Sequence, residues 1–258
     1  MELQKVKTVN DFKLVLASNY QKEIENYFGD HKKALEFLSG VVSSMQRIPK
    51  LLDCDPASVI NSFMKMAQLK LMPSDVSGEA YVLPYKNIAQ FQLGYQGLVT
   101  LFYRAGAKSI ASEIVYKNDD FKYINGEVFH NPDIFSEDRG EAIGAYVIVE
   151  TQTGGKISKV MKKSDIINIG KTFSKSYSSE YSPWNAKNDP ELWMWKKSVL
   201  KQVAKLVPKN ETIYKAISID NEESNISERM DKIKDEANCM TMGNLLTTND
   251  DKQDEENK

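Results

Sequence analysis

The stretch from Gly78 to Gly106, GEAYVLPYKNIAQFQLGYQGLVTLFYRAG, leaves the chain few ways to fold. Two extended runs, Ala80–Tyr85 and Ile88–Leu93, flank Lys86-Asn87, which reads as a two-residue hairpin turn with Asn87 tolerating positive φ. That turn sets the register, placing Leu83 opposite Gln90, Val82 opposite Phe91 and Tyr81 opposite Gln92. One face then carries Ala80, Val82, Pro84, Ala89, Phe91 and Leu93, all apolar and suited to a core wall. The other carries Tyr81, Leu83, Tyr85, Ile88, Gln90 and Gln92. Its π surfaces and neutral hydrogen-bonding groups suit bases or a backbone lying across it, although tyrosines are also good strand formers in their own right. After glycine-flanked Tyr95 a helix follows, with Leu98, Leu101, Phe102 and Ala105 at inward spacing and Arg104 pointing away.

Before this stretch the chain reads as helical. A first helix is expected from about Asp11 to Phe28, with Phe12, Val15, Leu16, Ile24 and Tyr27 available for burial. A second covers about Lys32–Gln46, with Ala34, Leu35, Leu38, Val41, Val42 and Met45 as its stripe. The third has the clearest start signal, Asp55 as N-cap and Pro56 at the first helical position, and a stripe of Val59, Ile60, Phe63, Met64 and Ala67. Beyond the central stretch, strands are expected at Ile110–Tyr116, Phe121–Ile124, Ala142–Glu150 and Lys156–Met161, with turns at Lys117–Asp120, Asn125-Gly126 and Gln152–Gly155. A helix starts at Ser164. Another runs from Asp189-Pro190 to about Val207, with Leu192, Val199, Leu200, Val203, Leu206 and Val207 on one stripe. Lys197, Lys201 and Lys205 line its opposite face, either solvated or in contact with phosphates, and Lys196 falls inside the apolar stripe, where it snorkels or reaches an anion.

The fold class is therefore α+β, with antiparallel hairpins packed on helices. It divides into a helical region over 1–71, an α+β core over 72–215 and an acidic tail over 216–258 that composition marks as mostly disordered. The formal net charge of −2 hides an asymmetry. From Asp220 onward twelve acidic side chains face five basic ones, whereas Thr151–Ile219 holds thirteen basic and five acidic. That local excess is the electrostatic footprint of a polyanion-binding surface. An acidic tail could compete with such a ligand, so deleting it should tighten binding at low salt. No apolar run approaches a membrane span and the first twenty residues lack a signal-peptide core, which implies a cytoplasmic protein without membrane attachment.

Several chemistries are poorly served. Cys54 and Cys239, without clustered histidines, build no zinc site, and His31 and His130 do not suggest a metal pair. Gly170-Lys171-Thr172 looks like the end of a phosphate-binding loop, but the glycine that motif needs is replaced by Asp165 and no strand precedes it. Nucleotide binding is rejected on that ground, and no cofactor is expected beyond Mg2+ as a candidate counter-ion of a nucleic acid. Asp119 and Asp120 could serve as metal ligands, but no third carboxylate arrives at useful spacing, and a turn role is favoured.

The segments LxPSxxxGxAYxxPY and QFQLGYxGLxxLxxRxG resemble the signature of the RecT family of phage single-strand annealing proteins. They are carried here by Leu71, Pro73, Ser74, Gly78, Ala80, Tyr81, Pro84, Tyr85, Gln90–Tyr95, Gly97, Leu98, Leu101, Arg104 and Gly106. IxSEIVYxNDxFxYxxG, the pair Arg139-Gly140, and SPW followed by Met194, Lys196, Ser198, Lys201, Lys205, Leu206 and Pro208 continue it. Lys197-Ser198 departs mildly from the lysine-threonine pair expected there, keeping the hydroxyl. The resemblance covers about residues 30–215. It implies ATP-independent binding of single-stranded DNA and annealing of complementary strands in homologous recombination, in a bacterial host. It also implies a homo-oligomeric ring or filament, a phage exonuclease as partner, and the host single-strand binding protein as a second candidate.

Binding residues are expected where charge and aromatic positions fall in these segments. The hairpin and its flank offer Tyr81, Tyr85, Lys86, Gln90, Gln92 and Tyr95; Arg104, Lys108, Lys117 and Arg139 follow. Lys171, Lys175 and Trp184 come from the helix and the aromatic loop after it, though Trp184, just before a helix start, leans towards pinning that loop. Lys196, Lys197, Lys201 and Lys205 come from the late helix. No catalytic residue is expected. The competing classes are a metal-dependent nuclease using Asp119, Asp120 or Glu127, and an adaptor whose basic face meets an acidic protein.

Overall fold

The hairpin forms with the register that a two-residue turn dictates. Strands β1 (Ala80–Tyr85) and β2 (Ile88–Leu93) pair antiparallel with Leu83 opposite Gln90, Val82 opposite Phe91 and Tyr81 opposite Gln92. The left-handed residue of the turn is Lys86, at φ 56°, rather than Asn87. Ala80, Val82, Ala89, Phe91 and Leu93 are all buried, as the alternation requires.

The computed structural model describes residues 6–73, 77–174, 176–207 and 211–221. Ser74, Lys175, Pro208, Cys239 and the acidic stretch beyond residue 221 lie outside the described residues. The architecture is α+β. Helices α1 (Val9–Val15) and α2 (Gln21–Phe28) are joined through a π-helical turn at Leu16–Tyr20, and Thr8 caps the start by accepting the Asp11 amide. Helix α3 (His31–Arg47) follows, with Asp30 as its cap. Leu35, expected in its buried stripe, is 47% exposed, and Phe37 takes the core position instead, its ring 5.5 Å from that of Phe28. Helix α4 (Pro56–Gln68) opens as its cap-and-proline signal requires, the Asp55 carboxylate accepting the Ser58 amide, and its predicted stripe is buried throughout.

Helix α4 lies against β2, and α5 (Tyr95–Arg104) leaves directly from the hairpin with Gly94 as its cap. Gly94 and Gly97 let the backbones meet. A Cβ on either would stand 1.9 Å and 2.1 Å from the carbonyl oxygens of Gly78 and Glu79 respectively. Glu79 adds a tie, its carboxylate accepting the Met72 amide and the Thr100 hydroxyl.

Strands β3 (Ala107–Tyr116), β6 (Ala142–Thr151) and β7 (Lys156–Lys162) form an antiparallel sheet in that order. Between β3 and β6 a second hairpin, β4 (Asp120–Ile124) and β5 (Glu127–Asn131), turns at Asn125-Gly126 with positive φ at both residues. Its second strand carries no sequence signal of its own, because Glu-Val-Phe-His-Asn is short and mixed in polarity. Phe121 and His130 fold this hairpin against Tyr146 of β6. Helices α6 (Lys163–Phe173) and α7 (Trp193–Val203) lie on the three-stranded sheet. The start of α7 corrects the expectation from Asp189-Pro190: Leu192 turns left-handed at φ 55°, and the helix begins at Trp193. Asp189 still caps it, at a distance, by accepting the Met194 amide at 3.0 Å.

A last helix, α8, covers residues 211–221 and seats Ile213, Ala216 and Asp220 at i, i+3 and i+7. Asp220, counted by composition with the acidic tail, thus belongs to the folded body. The buried side chains form one continuous core, from Val6 through the helices, the β1–β2 hairpin and the three-stranded sheet to Ala216. Among the described residues no helix is long and apolar enough to cross a membrane.

Candidate nucleic-acid interface

The second face of the β1–β2 hairpin is not open to bulk solvent. Residues of α7, the end of α6, the aromatic loop and α8 line a groove of about 230 Å3 together with it. Tyr85, Gln90 and Gln92 form one wall, and Lys197, Lys201 and Lys205 line the other at i, i+4 and i+8. Gln90 is buried at 5% exposure, so this wall is fixed rather than floppy. Trp184 and Phe173 add flat surface at the rim. Trp184 is anchored as expected: a Cβ on Gly170 would lie 2.8 Å from its ring and from that of Tyr177, so the missing side chain in α6 is what lets the loop seat there. The glycine of the apparent phosphate loop therefore serves ring packing inside a helix.

Lys197 and Lys201 do not project into solvent as a helical wheel suggests. Lys197 is 8% exposed: α7 packs on the three-stranded sheet, and on the side of Lys197 it shares the cavity with the hairpin and Asp220 of α8. The compensating charge is Asp220 of α8. Its carboxylate accepts the Leu93 amide at 2.8 Å and the Lys201 ammonium at 2.8 Å, and stands 3.9 Å from the Lys197 ammonium. Lys201 also donates to Asn221 at 2.8 Å. Burial pushes the Lys197 ammonium below the ordinary lysine range, against the pull of Asp220 and helped by Lys201. Burial would raise Asp220, but the two lysines and the donated hydrogen bonds outweigh it and hold the carboxyl low. Tyr85 is pushed up by burial and by the Asp220 charge, so its phenol is a neutral donor.

Sequence reasoning missed Asp220, and the signal was present: Ile213, Ala216, Ile217 and Asp220 share helical spacing. An acid that completes an apolar stripe is buried, and a buried carboxylate needs a cation.

Residues 36–237 match the RecT family. The chain belongs to the RecT family. It is 24% identical to Protein RecT of Escherichia coli (strain K12) over 205 residues, covering 75% of this chain and 73% of that one. It is 31% identical over 185 residues to the uncharacterized protein YqaK of Bacillus subtilis (strain 168), covering 70% of this chain and 61% of that protein. A role connected with recombination goes with the family.

In this RecT-family chain the signature residues split into two sets. Tyr85, Gln90, Gln92, Trp184, Lys197, Lys201 and Lys205 converge on the groove. The others are placed elsewhere. The Arg104 guanidinium donates to the Leu69 and Lys70 carbonyls at 3.1 and 3.0 Å, closing the exposed end of α4. Arg139 chelates the Asp119 carboxylate at 2.9 and 2.7 Å and stacks 4.4 Å over the Tyr116 ring. Lys196 crosses to Glu113 at 3.7 Å over the Trp193 ring, so of the two readings of its odd angle it is the anion that the side chain reaches, within the protein itself. Tyr95 meets Trp193 edge-on at 5.1 Å, and Lys108 pairs with Glu150 at 3.3 Å. Lys117 and Lys171 are exposed, Lys86 sits at the hairpin tip and Tyr81 is half-buried beside Gly78. Lys175 lies outside the described residues.

Among the described residues no group of three or more His, Cys, Asp or Glu side chains could hold a metal ion. Asp119 is spent on Arg139, His130 and the Tyr116 amide, while Asp120 sits 3.8 Å from Lys122 on an exposed strand.

Proposed function

We propose that this protein binds single-stranded DNA along the groove between the β1–β2 hairpin and α7, and anneals complementary strands without ATP during homologous recombination. The observation that carries the reading is the convergence in one groove of Lys197 and Lys201 of α7, and Lys205 just beyond its end, with Tyr85 and Trp184. Lysines grip phosphates by releasing counter-ions, and flat rings support unstacked bases. Annealing needs no bond chemistry: one strand is held extended, a second tests pairing, and hybridisation supplies the free energy. A groove this short spans only a few nucleotides, so a long strand requires subunits side by side, as a ring or filament. An exonuclease that exposes single strands would supply the substrate, and the host single-strand binding protein would meet the same strand. The setting is the cytoplasm of a bacterial host.

The test is to mix two complementary oligonucleotides with the purified protein in the absence of nucleotide and follow duplex formation by fluorescence, imaging the assemblies in parallel. Faster pairing than with oligonucleotides alone supports the reading; no acceleration and no retention of either strand at modest salt removes it. Lys205, the exposed lysine of the groove wall, gives a finer check. Lys205→Ala should weaken binding of all sequences alike and reduce the salt slope by about 0.7, the value for one phosphate contact on a single strand. An unchanged slope would show that Lys205 meets only solvent.

A further inference from the structure

Within the groove, the charges around Asp220 do not balance. Lys197 and Lys201 bring two ammonium groups and Asp220 one carboxylate. Lys201 uses two of its three donors, on Asp220 and Asn221, both at 2.8 Å. The Lys197 side chain is nine-tenths buried and lines the cavity, yet the anion nearest to it among the described residues is 3.9 Å away, outside hydrogen-bond reach. A buried ammonium is costly unless its donors are used. Here they face a cavity large enough for a ligand group, beside the neutral amide of Gln90 and the phenol of Tyr85.

Resting on the strand-binding reading, we propose that the Lys197 ammonium is an open donor for one phosphodiester group of the strand, and that Asp220 is its resident counter-ion, limiting the cradle to a single surplus charge. A phosphodiester carries one negative charge, which matches that surplus. The carboxylate thereby also sets the strength of the grip. With Asp220 in place the strand is held by one net charge at this point rather than two, loosely enough to shift register while it searches for its complement.

The proposal predicts opposite effects from two substitutions, read as oligonucleotide affinity against salt on the full chain. Lys197→Met keeps the stem and removes the charge; it should weaken binding roughly three- to tenfold at low salt and flatten the slope by about 0.7. Asp220→Asn removes the charge and keeps one oxygen, enough for the Leu93 amide but not also for Lys201; it should tighten binding by a similar factor, steepen the slope and slow exchange of a bound strand for a free one. Unchanged slopes in both variants, with wild-type binding intact, would overturn this subsite while leaving the groove reading standing. Absence of wild-type binding would instead remove the groove reading itself. As a readout that needs neither variant's strand affinity, millimolar inorganic phosphate should raise the melting temperature of the wild-type protein and protect Lys197 from amine-directed labelling. Full labelling of Lys197 in saturating phosphate would count against the proposal even if a variant failed to fold.

Discussion

Gly94→Ala is expected to cost roughly 4 kcal/mol or more, at the top of the range for single substitutions, and to leave little folded protein at 37 °C. The reason is space, not dihedral preference. Gly94 has φ −81° and ψ 165°, ordinary extended values for any residue. A Cβ there would lie 1.9 Å from the Gly78 carbonyl oxygen and 2.9 Å from that of Glu79. Both are backbone atoms, so neither can rotate away, and the hairpin would have to lift off the start of α5. That joint also carries the Gly94 amide bond to Glu79 at 2.8 Å and holds Leu93 where its amide meets Asp220. The damage should therefore reach the groove. Gly155→Ala is the matched control: its Cβ meets only the Thr151 hydroxyl at 3.2 Å, so its melting temperature should shift by a degree or two at most. Urea or thermal unfolding followed by circular dichroism checks both, and a Gly94→Ala protein as stable as wild type would refute the close approach.

Asp119 should govern a separate loss of stability in acid. Its side chain is 1% exposed. Burial alone would raise its pKa, but the Arg139 guanidinium, the Tyr116 amide and His130 outweigh that and hold it at about 2, against an ordinary 3.8. A carboxyl whose pKa is depressed by folding stabilises the protein above its unfolded value, and that contribution vanishes as pH falls through the folded one. Asp119 should thus contribute about 2 kcal/mol above pH 4, lost progressively between pH 4 and 2. Asp119→Asn should cost about 2–3 kcal/mol at pH 7, since it leaves Arg139, only 26% exposed, without its chelating partner. It should also flatten the acid limb. Melting curves for the two proteins from pH 7 to 2.5 test this, and curves that stay parallel across pH 4 to 2 would show that the pair carries no linkage. The effect is expected on stability first, because the cluster ties the β3–β4 turn to the loop before β6 rather than lining the groove.

Much of the local structure was legible because its causes are local. Lys86-Asn87 between two alternating runs set the hairpin register, Asp55-Pro56 opened α4, and Asn125-Gly126 turned the second hairpin. Each depends on neighbours within a few residues, and the same holds for the family signature, a string of identities read in order. Element edges were less legible where competing local bonds decide them, as at Leu192, whose left-handed turn delays α7 by three residues after Pro190.

The candidate site was harder to read, and Lys197 shows why. A helical wheel separates Lys197, Lys201 and Lys205 from the apolar stripe of α7 and so sends them to solvent. It cannot know that a second layer lies on that side. Arg104 and Arg139 show the same limit from the other direction: both are strongly cationic positions in matched segments, and their guanidinium groups meet carbonyls and a carboxylate 20 to 35 residues away in sequence.

By itself, then, the sequence determined the α+β class, the register of the β1–β2 hairpin, the turn of the second one, the family, and the excess of positive charge between Thr151 and Ile219. These rest on periodicity, turn chemistry and composition, which need no long-range contact. Only the tertiary structure decided which of those charges are buried and paired and which are exposed. That choice depends on α8 carrying Asp220 back across α7 to Lys197 and Lys201, and ion pairs between distant segments leave no periodic trace in the chain.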